Sequence, residues 1–443
     1  MTNEVIRNLS ASHDFYYFYR KSLVTICNIS FTNSITICKL VATISKGLFM
    51  TNFKERIIYK QLKEHLSKKF ITVITGLRRT GKTTLVKKLL EDFESENKIY
   101  LDLERIDNRE LFLEKNYENI ITALSARGIN FKKKTLIAID EVQLLPEISS
   151  ALKYLYDNYQ IKFIITGSSS YYIKNLFSES LAGRKKVFEL NTLSFGEFLL
   201  FKDIAYSPEK TIEKKFISAE YERIKKYYDE YVRYGGFPEV VLSSKISDKK
   251  DIINDIFSSY INIDIKNITE IRDQKNVHNL LKMLAARAGT KLDYSKLSSL
   301  TGISRPSVYN YIDLLEHTFI ITRVPVISKN PDREIVKAPK IFINDNGLLN
   351  QLAEVSSGVQ FENAIFNQLK FHGTLQYYSL KTGKEIDFIL NGNTAIEVKE
   401  TATIQDLNQL KNLSKNFKIS KNIVIARYPS PTFNDFVWGG DVL

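Results

Sequence analysis

The residues best suited to chemistry form the stretch Gly76-Leu77-Arg78-Arg79-Thr80-Gly81-Lys82-Thr83, two glycines separated by four residues and followed by Lys and Thr. Gly76 and Gly81 admit backbone angles and close approaches that a Cβ would block. The loop N–H groups can then turn inward and, with the positive end of a following helix, cradle a triphosphate. In that reading Lys82 reaches the β- and γ-phosphates of ATP, and the Thr83 hydroxyl serves Mg²⁺. An acidic partner follows in Thr135-Leu136-Ile137-Ala138-Ile139-Asp140-Glu141. Asp140 at the tip of an apolar strand is placed to hold Mg²⁺, directly or through water, and Glu141 to polarise the attacking water. Ser168, in Thr166-Gly167-Ser168-Ser169-Ser170, is either a sensor of the γ-phosphate or part of an ordinary Gly-Ser turn. Arg184, just after Ala182-Gly183, is either an arginine finger for a neighbouring subunit's γ-phosphate or part of a solvated basic edge. The finger role would require a homo-oligomer.

A second constellation lies near the C-terminus. Lys384-Glu385-Ile386-Asp387-Phe388-Ile389-Leu390 reads as a strand, Asn391-Gly392-Asn393 as a hairpin turn, and Thr394-Ala395-Ile396-Glu397-Val398-Lys399 as the returning strand. Alternation puts Glu397 and Lys399 on one face, and the hairpin brings Asp387 near them. Glu362, on a helical segment upstream, can add a carboxylate. Asp387, Glu397 and Glu362 could hold Mg²⁺ while Lys399 orients or activates water against a phosphodiester. The same groups could equally form a structural salt-bridge cluster.

The elements that must position these residues follow from periodicity. Between residues 53 and 195 the pattern alternates strand and helix, with strands expected at Phe70–Thr75, Lys98–Leu103, Thr135–Ile139, Lys162–Thr166 and Lys186–Leu190. Continuous apolar runs among them indicate a parallel sheet buried on both faces. Residues 196–275 are helical, charged and rich in tyrosine, interrupted by Tyr234-Gly235-Gly236-Phe237-Pro238, and read as a lid or linker whose tyrosines pack rather than stack on bases. Residues 276–345 suggest a winged helix, with Ser304 as an N-cap, Pro306 in the next first turn, and Ser307, Tyr309, Asn310 and Tyr311 on a candidate recognition helix. A helical packing or protein-binding module fits that stretch as well. Residues 346–443 return to an α/β pattern. Residues 1–49 do not resemble the rest, and Met50 is the expected natural start.

The motifs of residues 76–83, Asp140-Glu141-Val142-Gln143, Thr166-Gly167-Ser168-Ser169 and Leu181-Ala182-Gly183-Arg184 resemble the AAA+ branch of the P-loop ATPases. More narrowly they are similar to archaeal and bacterial ATPases that carry a C-terminal restriction-endonuclease-like domain of DUF4143 type. The resemblance covers roughly residues 53–400, including the Gly-Gly-Phe-Pro turn. It implies a P-loop core at 50–195, a sensor role for Ser168, a finger role for Arg184, and a nuclease-like set of Glu362, Asp387, Glu397 and Lys399.

Bulk properties bound the rest. At 443 residues the chain is long enough for two or three domains. Its formal charge of +13, from 63 basic and 50 acidic residues, suits DNA or another polyanion as partner, or reflects a lysine-rich surface. Cys27 and Cys38 are the only cysteines, too few for a disulfide framework or zinc cluster, and a reducing cytoplasm is expected. No apolar run reaches the roughly eighteen residues of a membrane span. A small-molecule kinase on the same loop would leave the C-terminal half without a role.

Overall fold

Ile71–Thr75 (β1), Lys98–Asp102 (β2), Thr135–Asp140 (β3), Ile161–Gly167 (β4) and Lys185–Glu189 (β5) form one sheet in the order β2-β3-β4-β1-β5, every pair parallel. The structure, a computed structural model, describes residues 53–168, 181, 183–205, 216–265, 274–328, 337–380, 382–417 and 419–442. All that follows concerns the unit Glu55–Leu443, so the expected extension at 1–49 lies outside the described residues. Strands β1, β3 and β4 are buried along their whole length, which is why they read as unbroken apolar runs. Helices Tyr59–His65 (α1), Lys82–Asp92 (α2), Ile106–Phe112 (α3), Tyr117–Ala126 (α4) and Ile148–Asn158 (α5) are interspersed with these strands. The tips of β1, β4 and β3 lie side by side at the carboxyl edge, where open parallel sheets bind ligands.

The middle of the chain is helical: Phe195–Phe201 (α6), Ser218–Tyr234 (α7), Pro238–Leu242 (α8), Ile246–Ser259 (α9), Gln274–Ala285 (α10), Tyr294–Thr301 (α11) and Arg305–His317 (α12). Ser304 caps α12 by accepting from the Ser307 N–H, and Pro306 lies in its first turn, where a missing N–H costs nothing. Ile321–Val324 (β6) and Lys340–Ile343 (β7) then pair antiparallel. The tyrosines of α7 are packing residues. Tyr228 and Tyr231 are buried against Phe195, and Tyr228 also meets Phe361 and Trp438, so α7 belongs to the core of the C-terminal sheet.

After Asn346–Leu352 (α13) and Ser357–Leu369 (α14), a mixed sheet forms from Leu375–Ser379 (β8), Glu385–Leu390 (β9), Thr394–Thr401 (β10), Lys421–Tyr428 (β11) and Val437–Trp438 (β12), with Ile404–Ser414 (α15) between β10 and β11. The β9–β10 hairpin turns through Asn391, Gly392 and Asn393 between the paired Leu390 and Thr394, with Asn391 and Gly392 both left-handed. Among the described residues no helix is long and apolar enough to cross a membrane.

Candidate functional site

The loop after β1 wraps the start of α2. A Cβ on Gly76 would lie 2.2 Å from the Leu190 carbonyl oxygen, and Gly81 takes the left-handed angle that opens α2. Lys82 is buried, and its Nζ donates to the carbonyls of Gly76 at 2.9 Å and Leu77 at 2.8 Å. The Thr80 hydroxyl donates to Leu77 O at 2.9 Å. Arg79, left-handed at φ 60°, pairs with Glu239 of α8 on the surface. Leu77 points the other way, into the middle core with Phe237 and Val240.

The acidic wall stands beside this loop. Thr83 Oγ1 donates to Asp140 Oδ2 at 2.7 Å, the same oxygen that accepts from the Tyr100 hydroxyl at 2.6 Å, while Thr166 donates to Oδ1. Glu141 adopts a left-handed backbone at φ 56°, and its N–H donates to Thr166 Oγ1 at 3.1 Å. Burial pushes the Glu141 carboxyl above the usual glutamate range, although the charges of Lys82 and Arg78 pull against it. Gln143 Nε2 donates to the Glu141 carboxylate and, at 3.0 Å, to Ser168 Oγ. Gln143 thereby links Glu141 to Ser168.

Several of these partners were not visible as site residues in the sequence. Arg56, buried ahead of α1, donates to Thr80 O at 2.9 Å, Asn191 O at 2.8 Å and Glu197 Oε1 at 2.9 Å. It braces the phosphate loop from behind. Glu197 also completes the cap of α6 with Ser194, so one carboxylate ties the loop's brace to the first middle helix. Tyr100, in the middle of β2, likewise lacks a local signature, whereas Gln143 closes the Asp140-Glu141-Val142-Gln143 motif but has no role of its own in the sequence reading.

Arg184 is not brought to this site. The parallel register sets Lys185 opposite Ile71, at the end of β1 far from Gly76, and the guanidinium forks onto Asp157 at 2.9 and 3.1 Å.

The C-terminal set does gather. Asp387 on β9 accepts from the Val398 N–H at 2.9 Å, and Lys399 Nζ lies 2.7 Å from Glu397 Oε1 on β10. Glu362 on α14 faces them across Lys340, which sequence reading had not singled out. Lys340 is 1% exposed, and its ammonium lies 2.9 Å from Glu385, 3.3 Å from Glu362 and 3.7 Å from Asp387. Burial, and then the charge of Asp387, pushes Glu362 and Glu397 up to about 7. Among the described residues no group of three or more His, Cys, Asp or Glu side chains is arranged to hold a metal ion.

Residues 68–199 match the family described as an AAA domain. The chain carries an AAA-type P-loop domain. Behind the AAA domain, residues 225–358 and 357–432 match two domains of unknown function, DUF8612 and DUF4143. An uncharacterized protein of Methanocaldococcus jannaschii is 25% identical over 398 residues, covering 86% of this chain and 87% of that protein. An uncharacterized protein of Haemophilus influenzae is 26% identical over 394 residues, covering 84% and 93%. The structure of the Aeropyrum pernix ORC2 protein aligns at 12% identity and a TM-score of 0.40, over 69% of this chain and 95% of that one. An AAA domain implies nucleotide binding, typically of ATP with Mg²⁺. Thr83 and Asp140 fit that ion: a hydroxyl and a carboxylate oxygen, hard oxygen donors in contact beside the phosphate loop.

Proposed function

We propose that the chain is an ATPase whose chemical step is run by Glu141, and whose nucleotide state is passed to the middle and C-terminal regions. The observation that carries the reading is Glu141 itself: half-buried, held in a left-handed turn, and tied through Gln143 to Ser168 beside the phosphate loop. In this reading the N–H groups of Gly76 to Thr83 bind the phosphates, and Lys82 leaves its two carbonyls for the β- and γ-phosphate oxygens. Thr83 and Asp140 would hold Mg²⁺, which when bound neutralises phosphate charge. Glu141 orients the attacking water and takes its proton, and Ser168 reads the presence of the γ-phosphate through Gln143. Arg184 serves another subunit, because its own chain's phosphate loop is at the opposite end of β1. ATP turnover should vanish in Lys82→Ala and collapse in Glu141→Gln with binding retained; turnover unchanged in either would place the chemistry elsewhere.

The output is proposed to be a switch rather than a cleavage. Arg79 of the phosphate loop pairs with Glu239, and Leu77 shares the buried core that holds Phe237, so a loop rearrangement on nucleotide binding reaches the region of the Gly-Gly-Phe-Pro turn. That turn is wired to the C-terminal half: Asp345 accepts from the Gly236 N–H at 2.8 Å and caps α13 through Gly347 and Leu348. The C-terminal carboxylates do not fit a divalent ion as they stand, because Lys340 is already among them, so no cleavage step is derived.

A nucleic-acid partner is a second reading, favoured by α10, α11 and α12 followed by the β6–β7 hairpin, with Tyr309 of α12 exposed and a chain charge of +13. Steeply salt-dependent DNA binding would support it, since phosphate contacts release counterions. DNA cleavage by the wild type but not by Lys399→Ala would restore a nuclease role and contradict the switch.

A further inference from the structure

We infer that Lys340 is the resident cation of the C-terminal carboxylate pocket, and that the pocket takes no divalent ion while Lys340 is in place. The geometry of the ammonium comes first. Its distances to Glu385, Glu362 and Asp387 put it between carboxylates from α14 and from β9, the gap a bridging ion would need. Asp387 is engaged at both oxygens: Oδ2 accepts from the Val398 N–H at 2.9 Å, and Oδ1 faces the Lys340 ammonium at 3.7 Å. Glu397 is turned to Lys399. The Tyr377 ring closes the pocket with its face 5.6 Å from the Lys340 ammonium, an attraction that also favours a monovalent organic cation.

The lysine is also fixed in place. Asn363 of α14 accepts from the Ile343 N–H and donates to the Ile343 carbonyl, both at 2.9 Å, and Asn367 donates to the same carbonyl at 2.8 Å. Phe342 stacks on Phe366 with ring centres 4.6 Å apart. Strand β7 is thus bolted to α14 by three side chains in the turn that follows Glu362, a carboxylate partner of Lys340. A second lysine reinforces the arrangement, since Lys291 donates to Ser379 at 2.6 Å and lies 3.6 Å from Glu385. A divalent ion entering here would meet a buried ammonium at ligand distance from the same oxygens, and like charges so close in a poorly solvated pocket repel strongly.

Lys340 therefore does with one side chain part of what an ion would do in the nuclease-like arrangement: it offsets charge and joins the carboxylates. It also fastens the middle region to the C-terminal domain. This deepens the non-cleaving reading of the C-terminal domain and is tested apart from the ATPase reading. The nucleotide-free full-length chain is titrated with Mn²⁺, with the free ion followed by electron paramagnetic resonance. The wild type should leave Mn²⁺ free over a range in which Lys340→Ala and Lys340→Gln each bind it. Adding Asp387→Asn to Lys340→Ala should abolish that binding. ATP binding at the distant phosphate loop and circular dichroism report whether each variant is folded. Wild-type binding of Mn²⁺ that is lost in Asp387→Asn would overturn the inference, and this arm decides the matter even if both Lys340 variants fail to fold. Folded Lys340 variants that bind no Mn²⁺ would overturn it as well. ATP turnover by the wild type is read separately: its absence would remove the ATPase reading and leave the Mn²⁺ result standing.

Discussion

Lys82 and Lys340 are both buried beside strand-borne carboxylates, yet they are held in opposite ways. Lys82 donates to the main-chain carbonyls of Gly76 and Leu77, neutral acceptors that a phosphate oxygen can outcompete. Lys340 is held by the carboxylates of Glu385, Glu362 and Asp387, charged acceptors that bind an ammonium more strongly than neutral carbonyls do. The acidic residues differ in the same sense. Asp140 is held by the hydroxyls of Thr83, Tyr100 and Thr166, which leave its negative charge in place for an incoming cation. Asp387 instead faces a resident cation, with Oδ1 3.7 Å from the Lys340 ammonium and Oδ2 accepting from the Val398 N–H. Residue types alone do not separate a site that is ready for a ligand from one that is internally complete; the acceptors of the lysine do.

Perturbing each side in turn breaks or sharpens this contrast. The largest effect is expected from Lys82→Ala, which should remove ATP turnover by on the order of 10³-fold and weaken ATP binding as well, measured by phosphate release and nucleotide titration. Glu141→Gln should lower turnover by ~10²–10⁴-fold while ATP still binds. The same carboxyl sets a pH limb. A base works only when ionised, and burial raises the pKa of Glu141, so turnover should fall as pH drops through a point above the ordinary glutamate value of 4.5. The residual rate of Glu141→Gln should show no such limb. Arg56→Ala should cost about 3–5 kcal/mol in denaturant unfolding, because it strands the buried Glu197 carboxylate. It should also loosen ATP binding through the lost brace on Thr80. The smallest effect, about 1–3 kcal/mol, is expected for Asp345→Asn, whose amide cannot accept from Gly236, Gly347 and Leu348 together.

How far these features could be read from sequence depended on their range along the chain. The phosphate loop is local, and the strands that flank it are buried on both faces, so composition alone located them to within a residue at each end. The hairpin at Asn391 and Gly392 was legible for the same reason, since two left-handed residues leave few alternatives to Asn-Gly. Arg56 could not be read, because its partner Glu197 is 141 residues away and meets it only once β5 has returned beside β1. Lys340 was hidden in the same way. It opens an otherwise apolar strand, and only the docking of β7 on α14 delivers it to the carboxylates. The finger expectation for Arg184 concerns a neighbouring subunit; within its own chain the parallel register puts it at the far end of the sheet, where Asp157 pairs with it.

The central claim is that the phosphate loop serves a hydrolytic site with Glu141 as its base. Single-turnover ATP hydrolysis by the full-length chain, with ATP binding measured on the same samples, tests it most directly. The account expects the wild type to release phosphate and Glu141→Gln to bind ATP with similar affinity and hold it intact. Hydrolysis by Glu141→Gln at the wild-type rate would contradict it.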